Sequence, residues 1–417
     1  MQVVILAAGN SSRFNPYNGF SHKSLIKIMG KSVLEHTLLS IKKSKISDVI
    51  IVVNKENNIE QIIGNGEKLG LKITYVVQSE PLGMGDALLR AEKYIKSDFF
   101  LLNAYHVEFS EFADLISKSR KSDQDVILLA KKDSILSRFG ILKVKGNQVV
   151  GIVEKPVRGR EPSNIRIVGI YLLTKTFLNT LKKVPTEHYH LEKALSEFAK
   201  KNIVRYVFAD KETVSLKYPW DILQIKNYLF RNLKRYVSKK AEISKDIEII
   251  GNVYIEDGCK IMEKACLKGP CYIGENAYVG NNVILRDGVD IEEEVVIGAF
   301  MELKNTVVME KSKTHSGFIG DSVIGENCRI GAQFCTANTR IDRETVKCVV
   351  KAKKVDTHLK RLGVMIGDGV HIGIKASSMP GVIIGKNAVV GPSTTILKNV
   401  PEGTKYYTKF QEVVEEK

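Results

Sequence analysis

From Ile243 onward every sixth residue is aliphatic: Ile243, Ile249, Ile255, Ile261, Leu267, Ile273, Val279, Leu285, Ile291, Ile297 and Leu303 keep one phase without a break. The phase resumes at Phe318, Ile324 and Ile330, and again at Ile366, Ile372, Ile384, Val390 and Ile396, with Ser378 in one aliphatic place. A period of six fits neither an amphipathic helix nor a strand with one wet face. It describes short strands stacked as a parallel solenoid, one aliphatic side chain of each pointing at a common axis. The stretch Thr339–Leu362 interrupts the phase and is polar and basic, which predicts a protruding loop.

The first half follows a different rule. Strand-like runs at Gln2–Ala7, Asp48–Val53, Ile73–Val77, Phe99–Asn103, Asp125–Ala130 and Ile167–Leu173 alternate with helical patterns around Val33–Lys43, Asp86–Ile95, Ser110–Ser119 and Leu191–Lys200. Such alternation predicts an α/β domain with a Rossmann-like, mainly parallel sheet covered on both faces. Ligands of such sheets sit outside the carboxyl ends of the strands. Asp221–Lys240 carries Ile222, Leu223, Ile225, Leu229 and Leu233 at helical spacing, so a connecting helix with a solvated basic face is expected there. The resulting division is 1–220, 221–240 and 241–417. Two domains suit 417 residues at roughly 100–200 per domain.

Charge and cysteine content narrow the function. The net charge of +16 admits anionic partners, but the 63 Lys and Arg are interleaved with 47 acids and form no long basic block. That pattern favours phosphorylated small molecules over nucleic acid. No apolar run approaches the ~18 residues needed to span a membrane, and the opening MQVVILAAGN reads as a buried strand. All six cysteines lie in the second half with no CxxC pair and no zinc spacing. They read as small core residues in a reducing, cytoplasmic compartment.

Leu6-Ala7-Ala8-Gly9-Asn10-Ser11-Ser12-Arg13-Phe14 follows the first strand as a small, Gly-containing turn. Such a turn lets backbone N–H groups approach a phosphate, and Arg13 could clamp it. Lys23 follows, then Gln78-Ser79-Glu80-Pro81-Leu82-Gly83-Met84-Gly85-Asp86, then Glu154-Lys155-Pro156. In this order the motifs resemble the sugar-phosphate nucleotidyltransferases, over most of residues 1–230. The resemblance implies a nucleotide and sugar site at Ala7, Gly9, Gln78, Gly83, Gly140, Glu154 and Lys155. Arg13 and Lys23 would stabilise charge as a sugar phosphate attacks a nucleoside triphosphate, UTP, and pyrophosphate leaves.

The departures from the family pattern bear on its metal. The family's Mg²⁺-binding Asp falls at Tyr105, or at His106 if the alignment slips by one, and its second Asp falls at Ser215. The Asn of NxGIY is Ile167, and Met84 replaces the Thr of GTG. Mg²⁺ takes hard oxygen ligands, usually carboxylates with phosphate. No metal ligand is therefore assigned, and an impaired nucleotidyl transfer is expected. The competing reading has Glu108 or Asp86 supply the missing carboxylate.

The solenoid carries its own motifs. Ile284-Leu285-Arg286-Asp287, Ile297–Lys304, Thr314-His315-Ser316-Gly317-Phe318-Ile319-Gly320-Asp321 and Gly331–Asn338 resemble the acetyltransferase half of the bifunctional GlmU family. The resemblance covers roughly 243–400 and implies a left-handed parallel β-helix that trimerises. It implies His315 as the base that frees an amine to attack the thioester of acetyl-CoA, a role suited to histidine because its ordinary pKa lies near neutrality. Arg286 and Lys304 would hold the acceptor's phosphate and Asn338 would orient the amine. Phe318 replaces a family Tyr at the sugar. Acetyl-CoA would run past Ala337 and Thr339 towards Ser378. Two other readings fit the same motifs: a non-catalytic sensor of nucleotide sugars, and a nucleotidyltransferase whose solenoid only oligomerises.

Overall fold

The computed structural model describes residues 1–17, 22–56 and 58–415. They form two compact units, one built mainly from Ser32–Ser215 and the other from Leu216–Lys417; the stretch from Ser12 and the segment Lys27–Lys31 count with the second.

In the first unit the alternating runs become β1 (Gln2–Ala7), α1 (Val33–Lys43), β2 (Asp48–Val53), β3 (Lys72–Val77), α2 (Met84–Ala91), β4 (Phe99–Asn103), α3 (Phe109–Lys118), β5 (Val126–Lys132), β6 (Gly140–Lys145), β7 (Gln148–Glu154), β8 (Ile165–Leu173), α4 (His190–Phe198) and β9 (Val204–Phe208). The nine strands lie in the order β3-β2-β1-β4-β8-β5-β9-β7-β6. The β1–β4 core is parallel, while β8 runs antiparallel between β4 and β5. Apolar side chains fill both faces. Val4, Leu101 and Leu128 pack towards α2 and α4, and Val3, Leu102 and Leu129 towards α1 and α3. That is why these strands read as continuous apolar runs. Helix α1 starts where the sequence starts it, because Ser32 and Glu35 form a reciprocal capping box. The antiparallel pair β6–β7 and the strand β9 beside it were not expected; their alternating, half-exposed residues carry a weak signal.

Three parallel sheets of eight, nine and eight short strands form the second unit, a parallel β-helix. Ile255, Ile273, Ile291, Val308, Ile324, Ile366 and Ile384 stack in register down one column. This column and its two counterparts form one continuous buried core. The corners repeat a left-handed backbone turn, with φ of 56° at Asn276, 58° at Asn282, 46° at Asn305 and 50° at Asp321. Asn and Asp tolerate that region better than most residues.

Four expectations need correction. The connecting helix ends at Phe230, and Tyr236–Val237 already pairs with the first coil. Its basic face is not all solvated, because Lys226 is fully buried. Phe318 does not hold the six-residue phase. Ile291 pairs with Val308 and Val308 with Ile324, so two successive coils fall one and two residues short of eighteen, and the buried axis position passes to Ile319. The loop 339–362 contains an antiparallel hairpin, Lys347–Val350 with Lys353–Asp356, closed at its base by a Thr339–Arg361 bridge. No helix among the described residues is long and apolar enough to cross a membrane. All six cysteines are free thiols.

Candidate functional site

In the first unit the turn after β1 is open. A Cβ added at Gly9 would meet nothing within 4 Å, so its backbone is approachable, while Ala7 is buried at the strand's end. Buried Gln78 donates from Nε2 to the Gly83 carbonyl at 3.1 Å and to Asp86 Oδ2 at 2.8 Å, which fixes the turn ahead of α2. Gly83 needs to be glycine: its φ is 100°, and a Cβ would lie 2.9 Å from the His188 carbonyl oxygen. Gly140 pairs with Glu154 across β6–β7. Exposed Lys155 donates to the Tyr189 hydroxyl at 3.1 Å. The Lys23 ammonium lies 5.5 Å from the centre of the Tyr105 ring. Arg13 counts with the second unit, where its guanidinium lies 5.8 Å from the centre of the Tyr218 ring. Sequence reasoning missed Glu192 on α4. Burial pushes its carboxyl up to about 7, with the charge of Glu154 adding to the rise. Its only visible signal was an acid on the apolar face of a helix.

The metal position can be tested on its donors. Tyr105 is buried and tilts against His106, their ring centres 4.7 Å apart. His106 and Glu108 are fully buried and joined Nδ1 to Oε1 at 3.0 Å, and the same Oε1 accepts from the Val214 backbone N–H at 3.2 Å. That bond ties the segment around Tyr105 to the segment carrying Ser215. Gly169, with φ of 105°, admits His106 below it; a Cβ there would lie 3.1 Å from His106 Nε2. Asp86 is held by Gln78 and, at 3.3 Å, by Arg90. The two carboxylates offered as substitutes are thus bonded within the fold. A phenol, a hydroxyl and a carboxylate engaged by an imidazole do not fit Mg²⁺, which keeps waters and takes open carboxylates. Among the described residues no group of three or more His, Cys, Asp or Glu is arranged to hold a metal ion.

In the second unit the acetyl-site residues divide between two edges of one sheet. At the edge after Met301–Lys304 and Gly317–Gly320, Asp321 gathers three partners. Its Oδ2 accepts from Lys304 Nζ at 3.1 Å and from Asn338 Nδ2 at 2.6 Å, and its Oδ1 accepts from Asn305 Nδ2 at 2.7 Å. A cleft of about 520 Å³ opens there, lined by Lys304, Asn305, Asp321, Asn227, Arg231 and Arg361. The Phe318 ring and the Asn338 amide both stand over Gly320, where a Cβ would lie 2.7 and 2.8 Å from them. Arg286 is next to Lys304 in register, but its guanidinium is bonded to Glu302 at 2.6 Å and Asp287 at 2.9 Å.

His315 precedes the strand Gly317–Gly320 that Asp321 follows, so the imidazole and the Asp321 cluster are separated by that strand's length, roughly 13 Å at ~3.3 Å per residue. The imidazole is exposed in a second cleft of about 510 Å³, which Arg329 and His371 also line. One chain therefore does not bring His315 to Lys304 and Asn338. Ala337 is exposed, and Thr339 donates to the Asn338 side chain at 3.4 Å. Ser378 is corrected: it pairs in register with Thr336 and Ile396, is 2% exposed, and its hydroxyl has no partner among the described residues. It fills an axis position and does not face a cosubstrate. Ser378→Val is expected to stabilise the chain by about 1 kcal/mol, by removing a buried unpaired hydroxyl. Thermal melting checks the gain, and an unchanged KM for acetyl-CoA checks the assignment.

Comparisons with known proteins match both halves of the chain. Residues 2–232 match the nucleotidyl transferase family, 267–362 the GMPPB C-terminal domain, and 363–396 the hexapeptide repeat of succinyl-transferase. The chain is 30% identical over its full length to a protein from Methanococcus vannielii named bifunctional protein GlmU, and 32% identical to one of the same name from Methanococcus maripaludis strain C5, each also covered in full. It is 30% identical to a protein from Sulfurisphaera tokodaii named bifunctional sugar-1-phosphate nucleotidylyltransferase/acetyltransferase, covering 97% of this chain and 99% of that one. Among solved structures, a Bacillus anthracis chain described as a glucose-1-phosphate thymidylyltransferase superposes with a TM-score of 0.50 at 19% identity, over 57% of this chain and 98% of that one. That likeness concerns the fold.

Proposed function

The chain belongs to the nucleotidyl transferase family and, over its whole length, to the bifunctional GlmU type, a nucleotidyltransferase domain joined to a hexapeptide acetyltransferase domain; from that membership we propose that its working activity is acetyl transfer from acetyl-CoA to the amine of glucosamine-1-phosphate or a close amino-sugar phosphate. The observation that carries this reading is the Lys304–Asp321–Asn338 cluster at the mouth of a cleft, in a coil that also presents an exposed histidine. The acceptor's ammonium gives one proton to solvent, and the free amine attacks the thioester carbon as His315 takes a second; the C–S bond breaks, and the imidazolium passes that proton to the departing CoA thiolate. Lys304, with Arg286 at its side, holds the phosphate, and Asn338 orients the amine.

The chain assembles as a homotrimer, in which His315 of one chain meets the Lys304 edge of a neighbour. The in-chain separation of the two edges supports this. Its substrates are small molecules and it engages neither nucleic acid nor a membrane. Six free thiols suit a cytoplasmic setting.

The first domain binds UTP or a UDP-sugar on the Gly9 turn, with Lys23 as its cation. No chemical step is assigned to a metal there, because the donors at Tyr105, His106, Glu108 and Ser215 do not suit one. A second reading follows from the same observation: this domain is a sensor that binds the nucleotide sugar without turnover.

Release of free thiol from acetyl-CoA, dependent on glucosamine-1-phosphate, tests the reading. Turnover by a particle of three-chain mass is expected. No thiol release with any amino-sugar phosphate would leave the sensor reading in its place.

A further inference from the structure

We infer that Lys226, on the helix Asp221–Phe230 ahead of the β-helix, is a positioning residue of the acetyl-acceptor site. The inference rests on the proposed acetyl transfer. Lys226 occupies the apolar side of its helix, one turn from Ile222 and from Phe230, and is fully buried. A lysine is almost never fully buried without paired partners. Its ammonium donates to the Gly288 carbonyl and, at 2.8 Å, to Asn305 Oδ1.

The second bond gives Lys226 a specific task. A side-chain amide has two ends of nearly equal shape and opposite hydrogen-bonding sense, whereas an ammonium can only donate. With Lys226 against Oδ1, the Nδ2 end of Asn305 has to face away from it, and it donates to Asp321 Oδ1 at 2.7 Å. Asp321 is then anchored through one oxygen, and its other oxygen receives Lys304 and Asn338 at 3.1 and 2.6 Å. The chain of contacts runs from a buried ammonium through an amide and a carboxylate to the two side chains assigned to the acceptor. Each middle link sits at a left-handed corner of the β-helix, so its backbone is fixed and only the side-chain orientation is left to set. Asn227 and Arg231, which follow Lys226 in sequence, line the cleft into which Lys304 and Asp321 open.

Without the ammonium, the Asn305 amide can turn its oxygen towards Asp321. The two acceptors then repel, Asp321 rotates, and Lys304 and Asn338 lose their shared anchor. Lys304 holds the acceptor's phosphate away from the base, so acceptor binding suffers most, and the chemical step loses less, through Asn338, which orients the amine.

The test is steady-state acetyl transfer by the full chain, with glucosamine-1-phosphate and acetyl-CoA varied in turn. Asp290 is buried and its charge acts on Lys226, so Lys226→Met is paired with Asp290→Asn to avoid stranding a charge. Asn305→Ala, at a half-buried corner, breaks the same chain without touching a buried charge. Lys226→Arg keeps a donor-only group. KM for glucosamine-1-phosphate is expected to rise about tenfold in the double variant and in Asn305→Ala, the worth of one oriented hydrogen bond. The KM for acetyl-CoA should stay near wild type and kcat should fall by less than the acceptor KM rises, with Lys226→Arg recovering most of both losses. An unchanged KM in folded Asn305→Ala overturns the inference. So does a joint fall of kcat, both KM effects and melting temperature that Lys226→Arg fails to relieve, because that is the mark of a structural lysine. Absence of acetyl transfer in the wild type overturns the proposed function and this inference with it; an active wild type with indifferent variants overturns this inference alone.

Discussion

Replacing His315 by Gln is expected to lower kcat for acetyl transfer by about 10²–10⁴-fold, the usual worth of a positioned general base. Glutamine keeps the size and a hydrogen-bonding tip but takes up no proton near neutrality. His315 is exposed, and its imidazole has no hydrogen-bond partner among the described residues, so the substitution should leave melting unchanged. The informative control is His371→Gln, which changes the other histidine of the same cleft. If His371→Gln abolishes turnover and His315→Gln does not, the base has been assigned to the wrong residue. Mixing His315→Gln chains with Lys304→Ala chains, each inactive alone, is expected to restore turnover after joint refolding. Recovery follows only if one chain supplies the base and another the phosphate-holding edge.

Tyr105→Asp combined with Ser215→Asp is expected to raise Mg²⁺-dependent pyrophosphate release from UTP and N-acetylglucosamine-1-phosphate by about 10²–10⁴-fold. Two carboxylates would then flank the position where the wild type has a phenol and a hydroxyl, near the Lys23 ammonium that faces the Tyr105 ring. Robust wild-type turnover would show that another donor set serves the metal. No gain in a folded variant would mean that the domain has lost more than its ligands, with the buried His106–Glu108 pair and the apolar Ile167 as the next positions to revert.

Much of this architecture was legible because its signals are local and repeated. The bounds of β1 and β2 came from uninterrupted apolar runs, those of α1 from a helical pattern, and the β-helix from its six-residue period. What escaped depends on contacts distant in sequence. Lys226 looked like one more basic residue on a solvated helix, and only the carbonyl of Gly288 and the amide of Asn305, far along the chain, make its burial tolerable. Phe318 kept the count of six, but Ile319 faces the axis, because two coils are shortened and a count cannot show where a chain turns early. The separation of His315 from Lys304 was equally hidden, since motifs on one coil look adjacent even when a whole strand divides them. Ser378 broke the repeat visibly, yet the break was mistaken for a contact with a cosubstrate, when it is a polar residue in an apolar column.

The two shortened coils have a further consequence. A stack of identical rungs has no internal address, so a segment docked one rung too early or too late would lose little. The coils from Ile291 to Ile366 break that uniformity, because rungs one and two residues short, followed by one lengthened by the hairpin, cannot be exchanged with eighteen-residue neighbours. They work as a vernier mark on a scale of mostly eighteen-residue rungs, and His315, Asp321 and their partners lie within or beside that mark. A chain that aligns there has aligned everywhere, so the irregular stretch that carries the proposed chemistry also tells every other rung its place.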